Sequence, residues 1–289
     1  MIVIRIKGGL GNQLFQYAFA YSLSKKFNKR LFLNPFFSGN MSKRNIGLFF
    51  LKLDSNEPIS NSSLPLRVKL IRSKYFNKLF RYLNIKRHRC GLNFLYILET
   101  RQIYQNISYN FGQKNLYFDG YFQSPIYFKE FRNELLRQFR PNYNPEDSYL
   151  ETLHKIIDSE SVAIHIRRGD FAKDNDKYHY VLEESYYLDA ISYIKKRVDR
   201  PFFFIFSNDV EWSKLLLGNL DNASFVTLNT VHCDIDELML MKNCRHIIGA
   251  NSTYSWWASW LNENENAIRI VPKKPFGMEG MIPNEWIKI

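Results

Sequence analysis

The residues best suited to chemistry stand where apolar runs stop. Val162 to Arg167 reads as a strand, and it leads into Ile164-His165-Ile166-Arg167-Arg168-Gly169-Asp170. In that run Ile164 and Ile166 share one face, and His165 and Arg167 the other. Two adjacent arginines at a strand end can fork onto a diphosphate, because guanidinium donates in pairs and keeps its charge. The plain alternative is a surface arginine pair neutralised by Asp170. A second group is Asn251-Ser252-Thr253, just after the short run His246 to Gly249. Ser252 and Thr253 are natural helix caps. A helix amino terminus carrying hydroxyls also binds phosphate, so capping and anion binding both remain open.

Acidic and amide groups occupy comparable places. Ser207-Asn208-Asp209 follows the strand Phe202 to Phe206. Those residues could contact a ribose or cap the next helix. Asp234, Asp236 and Glu237 precede Leu238-Met239-Leu240-Met241. A carboxylate there could accept the paired N–H groups of a guanine edge, or favour a helix start. Near the amino terminus, Gly8-Gly9-Leu10-Gly11-Asn12 follows the strand Ile2 to Ile6. No Gly-Lys-Ser/Thr follows, so it is not a Walker A loop, and Leu14 stands where a dinucleotide fingerprint has its third glycine. Gly9 and Gly11 allow a tight turn or close backbone approach to a ligand, with Asn12 at the helix start. His232 and His246 lack ligand spacing and read as structural or surface groups.

These residues need elements to hold them. From residue 150 onward strands alternate with helices: 162–167, 184–198, 202–206, 210–217, 224–228, 235–243, 246–249, 254–261 and 268–271. That alternation predicts a parallel sheet covered on both faces. Ligands of such sheets sit beyond the carboxyl ends of the strands, where the groups above fall. The first residues predict strand, glycine turn, helix and a second strand at Arg30 to Asn34. Tyr127 to Phe139 reads as a helix. Pro141-Asn142-Tyr143-Asn144-Pro145 is the best linker. The expected domains are therefore 1–145 and 146–289. Trp256, Trp257 and Trp260 fall on helical spacing and read as core.

The chain has 289 residues and a net charge of +12, from 40 Lys and Arg against 28 Asp and Glu. With 45% hydrophobic residues it is neither disordered nor fibrous. Its basic balance points to an anionic partner: a phosphorylated substrate, a nucleic acid or an acidic membrane surface. No acidic residue occurs from Pro58 to Leu98, where Arg67, Lys69, Arg72, Lys74, Lys78, Arg81, Lys86, Arg87 and Arg89 all fall. Apolar residues interleave, so 67–89 reads as a basic amphipathic helical segment able to meet a membrane surface. The three cysteines, Cys90, Cys233 and Cys244, form no Cys-x-x-Cys pair. Reduced thiols in a cytoplasmic protein are expected. No run approaches the length of a membrane span, and the amino terminus does not read as a signal peptide.

Taken in order, four segments resemble the family-11 glycosyltransferases, the bacterial α-1,2-fucosyltransferases. They are Gly8-Gly9-Leu10-Gly11-Asn12-Gln13-Leu14-Phe15-Gln16-Tyr17-Ala18, His165 to Phe171, Phe206-Ser207-Asn208-Asp209, and Leu240 to Ile248 running into Asn251-Ser252-Thr253-Tyr254-Ser255-Trp256-Trp257. Gly120-Tyr121-Phe122-Gln123 is also family-like. The resemblance implies an α/β protein of GT-B type, two Rossmann-like domains facing across a cleft. In it the acceptor-side domain is amino-terminal and the GDP-sugar domain carboxy-terminal. It implies GDP-β-L-fucose as donor and inverting transfer to the 2-hydroxyl of a terminal β-galactoside, with no metal or other cofactor. The product belongs to surface polysaccharide such as the lipopolysaccharide O-antigen, so the acceptor glycan could be lipid-linked and the enzyme peripheral at the inner face of the membrane.

The same resemblance makes Arg167, Asn12 and Asp170 the catalytic candidates. It makes Gly9, Gly11, His165, Arg167, Arg168, Asp209, Asp236, Glu237, Asn251, Ser252 and Thr253 the donor-binding candidates. Glu237 stands where the family often has Asp, with Asp236 adjacent, and Asn208 where many members have an acidic residue. The competing class is a basic nucleic-acid-binding protein. Against it, no RNA-recognition aromatic motif or helix-turn-helix signature is present.

Overall fold

A computed structural model describes residues 1–35, 46–55, 57–71, 73–82, 87–90, 93–99, 114–169, 180–274 and 280–289. The chain divides into two compact units, Met1–Asn142 with Met278–Met281 and Tyr143–Gly277 with Ile282–Ile289.

In the first unit β1 (Ile2–Ile6) enters α1 (Leu10–Phe27) and returns as β2 (Leu31–Pro35). The sheet is completed by β3 (Arg87–Arg89), β4 (Phe94–Leu98) and β5 (Asn115–Asp119), in the order β2-β1-β5-β4-β3. All pairs are parallel except β3 with β4. Ile4 lies opposite Leu33 on one side and Phe118 on the other, which fixes the register of the central strands. Every residue of β1 is buried, as a strand covered on both faces requires. α1 is apolar on nearly all sides. Its Phe19 stacks on Phe122 at 3.8 Å and meets Phe118 and Tyr127 edge-on, so the core here is aromatic.

The basic segment departs from the single helical reading. It forms α2 (Leu66–Ile71) and α3 (Lys74–Tyr82), and ends as the antiparallel edge strand β3. Pairing of Arg87 and Arg89 with Ile97 and Leu95 turns its last residues into sheet. Arg72 and residues 83–86 lie outside the described residues. The expected helix at 127–139 splits into two single 3₁₀ turns, Pro125–Tyr127 and Lys129–Phe131, followed by α4 (Arg132–Gln138).

The second unit opens with α5 (Asp147–Ile157) and β6 (Ser161–Ile166). It continues with α6 (Glu184–Lys195), β7 (Phe202–Ser207), α7 (Val210–Leu217) and β8 (Ala223–Phe225). Then come α8 (Cys233–Asn243), β9 (His246–Ile248), α9 (Thr253–Leu261), β10 (Arg269–Val271) and β11 (Ile287–Lys288). The sheet is parallel throughout, in the order β11-β10-β9-β6-β7-β8. α5 and β11 are elements the sequence reading passed over. Trp256, Trp257 and Trp260 are buried among one another, as core residues.

Both sheets reverse direction once. In the second unit β6 is followed outward by β7 and β8, while β9 returns to its other side. In the first unit the reversal lies between β1 and β5. A crevice opens beyond the strand ends at such a switch point, and each unit puts its motif residues there.

Candidate functional site

At the β6–β9 switch, β6 delivers His165 into the core and leaves Arg167 and Arg168 half-buried at its end. The His165 ring lies 5.5 Å from that of Tyr254, and its Nδ1 has no hydrogen-bond partner. Burial and the neighbouring Arg167 cation push its pKa down to about 3, so the imidazole is neutral. A neutral histidine beside a cation leaves the positive charge of this strand end to the arginines. Arg168 is positioned from several sides. Its backbone N–H donates to Asn208 Oδ1 at 2.9 Å, its guanidinium lies 4.4 Å over Trp212, and its Nε is 3.7 Å from Asp209. Asp209 also caps α7 by accepting from the Trp212 N–H at 3.2 Å. Asp170 lies outside the described residues.

Across the switch, β9 ends in the turn Gly249–Ser252. Ser252 caps α9, accepting from the Tyr254 N–H at 3.3 Å, and Thr253 is the first helical residue. Asn251 is buried; its Nδ2 donates to the Tyr180 carbonyl at 2.6 Å while its Oδ1 has no partner. Tyr186 donates to the Gly249 carbonyl and pins the turn from below. Backbone N–H groups at the start of a helix are donors of the kind that can meet an anion.

The two acidic candidates diverge. Asp236 is buried, and its Oδ1 accepts from the Tyr143 hydroxyl at 2.7 Å. Glu237, the next residue of α8, is half-buried, and the Cys233 thiol donates to its Oε1 at 3.5 Å. Burial, with Asp234 nearby, raises its pKa to about 7. Burial, with Glu237 and Asp234 nearby, raises the pKa of Tyr254, the ring beside His165.

In the first unit Gly8 takes φ +83°, a left-handed conformation that favours glycine, and Gly9 is the N-cap residue of α1. Asn12 Oδ1 accepts from Gln123 Nε2 at 2.8 Å, which joins the glycine turn after β1 to the turn after β5. Gln13 Nε2 donates to the Gly8 carbonyl at 2.9 Å.

Beneath these turns lies a charge network that the sequence reading missed. Asp119 is fully buried and accepts from Arg5 at 2.5 Å, Lys7 at 2.6 Å and the Tyr96 hydroxyl at 2.7 Å. Burial alone would raise its pKa; Lys7 and Arg5 outweigh that and hold it well below the usual carboxylate range. Glu99 accepts from the N–H groups of Tyr121 at 2.6 Å and Phe122 at 3.0 Å. Phe122 itself has φ +52°. The available signal was a cation inside a buried strand: Arg5 in Ile-Val-Ile-Arg-Ile must find a buried anion.

Among the described residues no group of three or more His, Cys, Asp or Glu side chains is arranged to hold a metal ion. A crevice of about 550 Å³ lies at the opposite end of β7 and β8, around Lys196, Arg200 and Asn222. It is open and lined by charged surface residues, and it shares no residue with either switch point.

The sequence profile of glycosyl transferase family 11 matches residues 96–289. An alpha-1,2-colitosyltransferase of Escherichia coli is 32% identical over 302 aligned residues, spanning 100% of this chain and 99% of that protein. The O-antigen biosynthesis glycosyltransferase WbnK of Escherichia coli is 31% identical, over 98% of this chain and 99% of that one. A crystal structure of the α-1,6-fucosyltransferase NodZ, an enzyme from Bradyrhizobium, soaked with GDP-fucose, superposes with a TM-score of 0.54 at 11% identity. It covers 90% of this chain and 92% of NodZ, and it supports the fold alone: GT-B type, built from two Rossmann-like α/β units. None of these relatives favours the nucleic-acid-binding alternative. With its profile match over most of the chain and full-length relatives above 30% identity, the protein belongs to glycosyl transferase family 11 and is a glycosyltransferase.

Proposed function

We propose that this enzyme transfers L-fucose from GDP-β-L-fucose to the 2-hydroxyl of a terminal β-galactoside, with inversion and without a metal ion. The observation that carries the reading is the pairing, at one topological switch, of Arg167 and Arg168 with the amide-bearing turn Asn251–Thr253. Breaking the bond between fucose C1 and the phosphate oxygen sends the electron pair to GDP. The sugar becomes positive as the diphosphate gains negative charge. Arg167, Arg168 and the amino terminus of α9 would meet that charge, and such fixed donors are worth more in a partly buried site than in water. The acceptor oxygen attacks C1 from the opposite face, which turns a β donor into an α product; its proton passes to a base that we leave unassigned.

Of the two candidate guanine carboxylates, Glu237 is the better placed. Asp236 is buried, with Oδ1 accepting from Tyr143 and Oδ2 without a partner, whereas Glu237 is half-buried and its carboxylate is met by the weak thiol donor of Cys233. Asn12 and Gln123, hydrogen-bonded at the switch of the first unit, are the amides we assign to the acceptor and pyrophosphate. The domain roles follow: an acceptor-side unit to residue 145 and a donor-binding unit from residue 146. Ser252 and Thr253 are read as phosphate contacts and Asp209 as the residue that aims Arg168. Gly9 and Gly11 let backbone approach the ligand. By analogy with the O-antigen biosynthesis glycosyltransferase WbnK, the acceptor is a glycan of O-antigen type, and our reading carries it on lipid at the cytoplasmic face of the membrane.

The test is direct. Purified enzyme is incubated with GDP-fucose, or with a nucleotide-activated colitose, and a panel of β-galactosides, with and without EDTA. A 2-linked α-fucosyl product, unaffected by EDTA, is expected. Exclusive use of colitose would replace the donor, and loss of turnover in EDTA would remove the metal-free mechanism.

A further inference from the structure

We infer that α2 and α3 form a docking face for an anionic lipid bilayer. Within Leu66–Tyr82, six large apolar side chains stand in the open: Leu66, Leu70, Tyr75, Phe76, Leu79 and Tyr82. They are 43% to 87% exposed, and they make up more than half of the large exposed apolar residues among the described residues. Clustering of this kind marks an interaction surface, whereas isolated exposed apolar residues do not. The first of the two helices is anchored from beneath. Val68 and Ile71 pack with Leu64, Phe94, Tyr96 and Tyr117 of the first unit's core, so α2 faces outward with Leu66 and Leu70. In α3, Tyr75, Leu79 and Tyr82 follow i, i+4, i+7 spacing and form one stripe.

Charge selects the occupant. Residues 58–98 carry nine Lys and Arg and no Asp or Glu, which is nine of the chain's twelve net positive charges. Arg67, Lys69 and Lys78 are exposed beside the apolar stripe. A second copy of this chain would bring like charges together across the two-fold axis of a dimer. Nucleic acid would satisfy the cations but leaves exposed leucines without a partner. An anionic bilayer satisfies both: phosphates for the cations, the acyl boundary for the leucines, and the headgroup level for the tyrosines. Such a face would hold the enzyme where membrane-borne acceptors are, independently of the transfer chemistry.

The experiment is flotation of the full chain with phosphatidylcholine vesicles containing about one-third phosphatidylglycerol, against pure phosphatidylcholine. Binding is expected only to the anionic vesicles, with release at about 0.5 M salt as charges are screened. A triple variant, Arg67→Gln with Lys69→Gln and Lys78→Gln, should weaken partitioning about 100-fold, at about fivefold per charge. A second, Tyr75→Ser with Leu79→Ser and Tyr82→Ser, should also weaken it while the cations remain. Both variants should keep full turnover on a soluble galactoside, which separates this surface from the active site and reports folding. No wild-type binding to anionic vesicles overturns the proposal, as does binding unchanged in the charge variant. Salt-sensitive gel shifts with nucleic acid in the absence of vesicle binding, or concentration-dependent dimers abolished by the apolar variant, would also overturn it.

Discussion

Raising the pH from about 6 to about 8 should tighten GDP-fucose binding roughly tenfold, and Glu237→Gln should abolish that dependence. The free enzyme holds Glu237 at a pKa of about 7 because burial, with Asp234 nearby, opposes its charge. A guanine edge offers two N–H donors to one carboxylate, so the ionised form is the binding form. The apparent Kd then scales as 1 + 10^(pKa − pH), about elevenfold above its limit at pH 6 and about 1.1-fold at pH 8. GDP-fucose suits the measurement, since its diphosphate is esterified at both ends and keeps its charge over this range. Calorimetric titrations in buffers of differing ionisation heat should also show protons released on binding near neutral pH. Replacing the carboxylate removes charged hydrogen bonds worth about 1.5–3 kcal/mol, so the variant should bind roughly 10- to 150-fold more weakly at pH 8. Stability of the unliganded enzyme should run the other way. A carboxyl whose folded pKa is raised contributes stability below its unfolded value, and that is lost as the pH rises through about 7. Unfolding midpoints of wild type and Glu237→Gln should therefore converge at low pH. A wild-type affinity flat across this range, or a Gln variant that keeps the slope, would refute the assignment.

Three further outcomes are expected. Arg167→Ala should lose transfer by at least two orders of magnitude, the scale of a missing transition-state donor, with an unchanged circular dichroism spectrum; near-normal turnover would remove Arg167 from the mechanism. Asp119→Asn should cost about 3–5 kcal/mol in urea denaturation, because Arg5 and Lys7 keep their charges without the buried anion. As the folded Asp119 pKa is depressed, its contribution is present above the unfolded value of 3.8 and is lost as the pH falls through the folded value. Gly120→Ala should lower the melting temperature, since the added Cβ would lie 2.4 Å from Glu99 Cβ at a position packed on both sides.

Strand–helix alternation made the second unit legible, because each apolar run there is bounded by polar or proline residues. Most boundaries moved by one to three residues: Ser252 caps α9, so that helix starts at Thr253, while α6 stops at Lys195 and β8 at Phe225, short of the 198 and 228 expected. The strand-end rule places Arg167, Arg168 and the Asn251–Thr253 turn from the sequence alone. The first unit was harder. β4 and β5 are brought together by the sheet, and nothing local in Phe94–Leu98 or Asn115–Asp119 names their partners. For the same reason Asp119 and Glu99 went unnoticed. Their partners Arg5 and Tyr121 are more than twenty positions away, and a lone carboxylate carries no spacing signal. Residues 67–89 read as one helix because composition reports polarity well but is blind to the edge pairing that ends in β3.

Cys233 sits against the carboxylate assigned to the nucleobase, yet it is a poor nucleophile. Burial and the acidic neighbours Glu237, Asp234 and Asp236 raise its pKa to about 12. At neutral pH only about one molecule in 10⁵ carries the thiolate, the form that alkylating agents and peroxides attack. Oxidative stress should thus spare Cys233, and covalent inhibitors that rely on a cysteine-seeking warhead should find no purchase there.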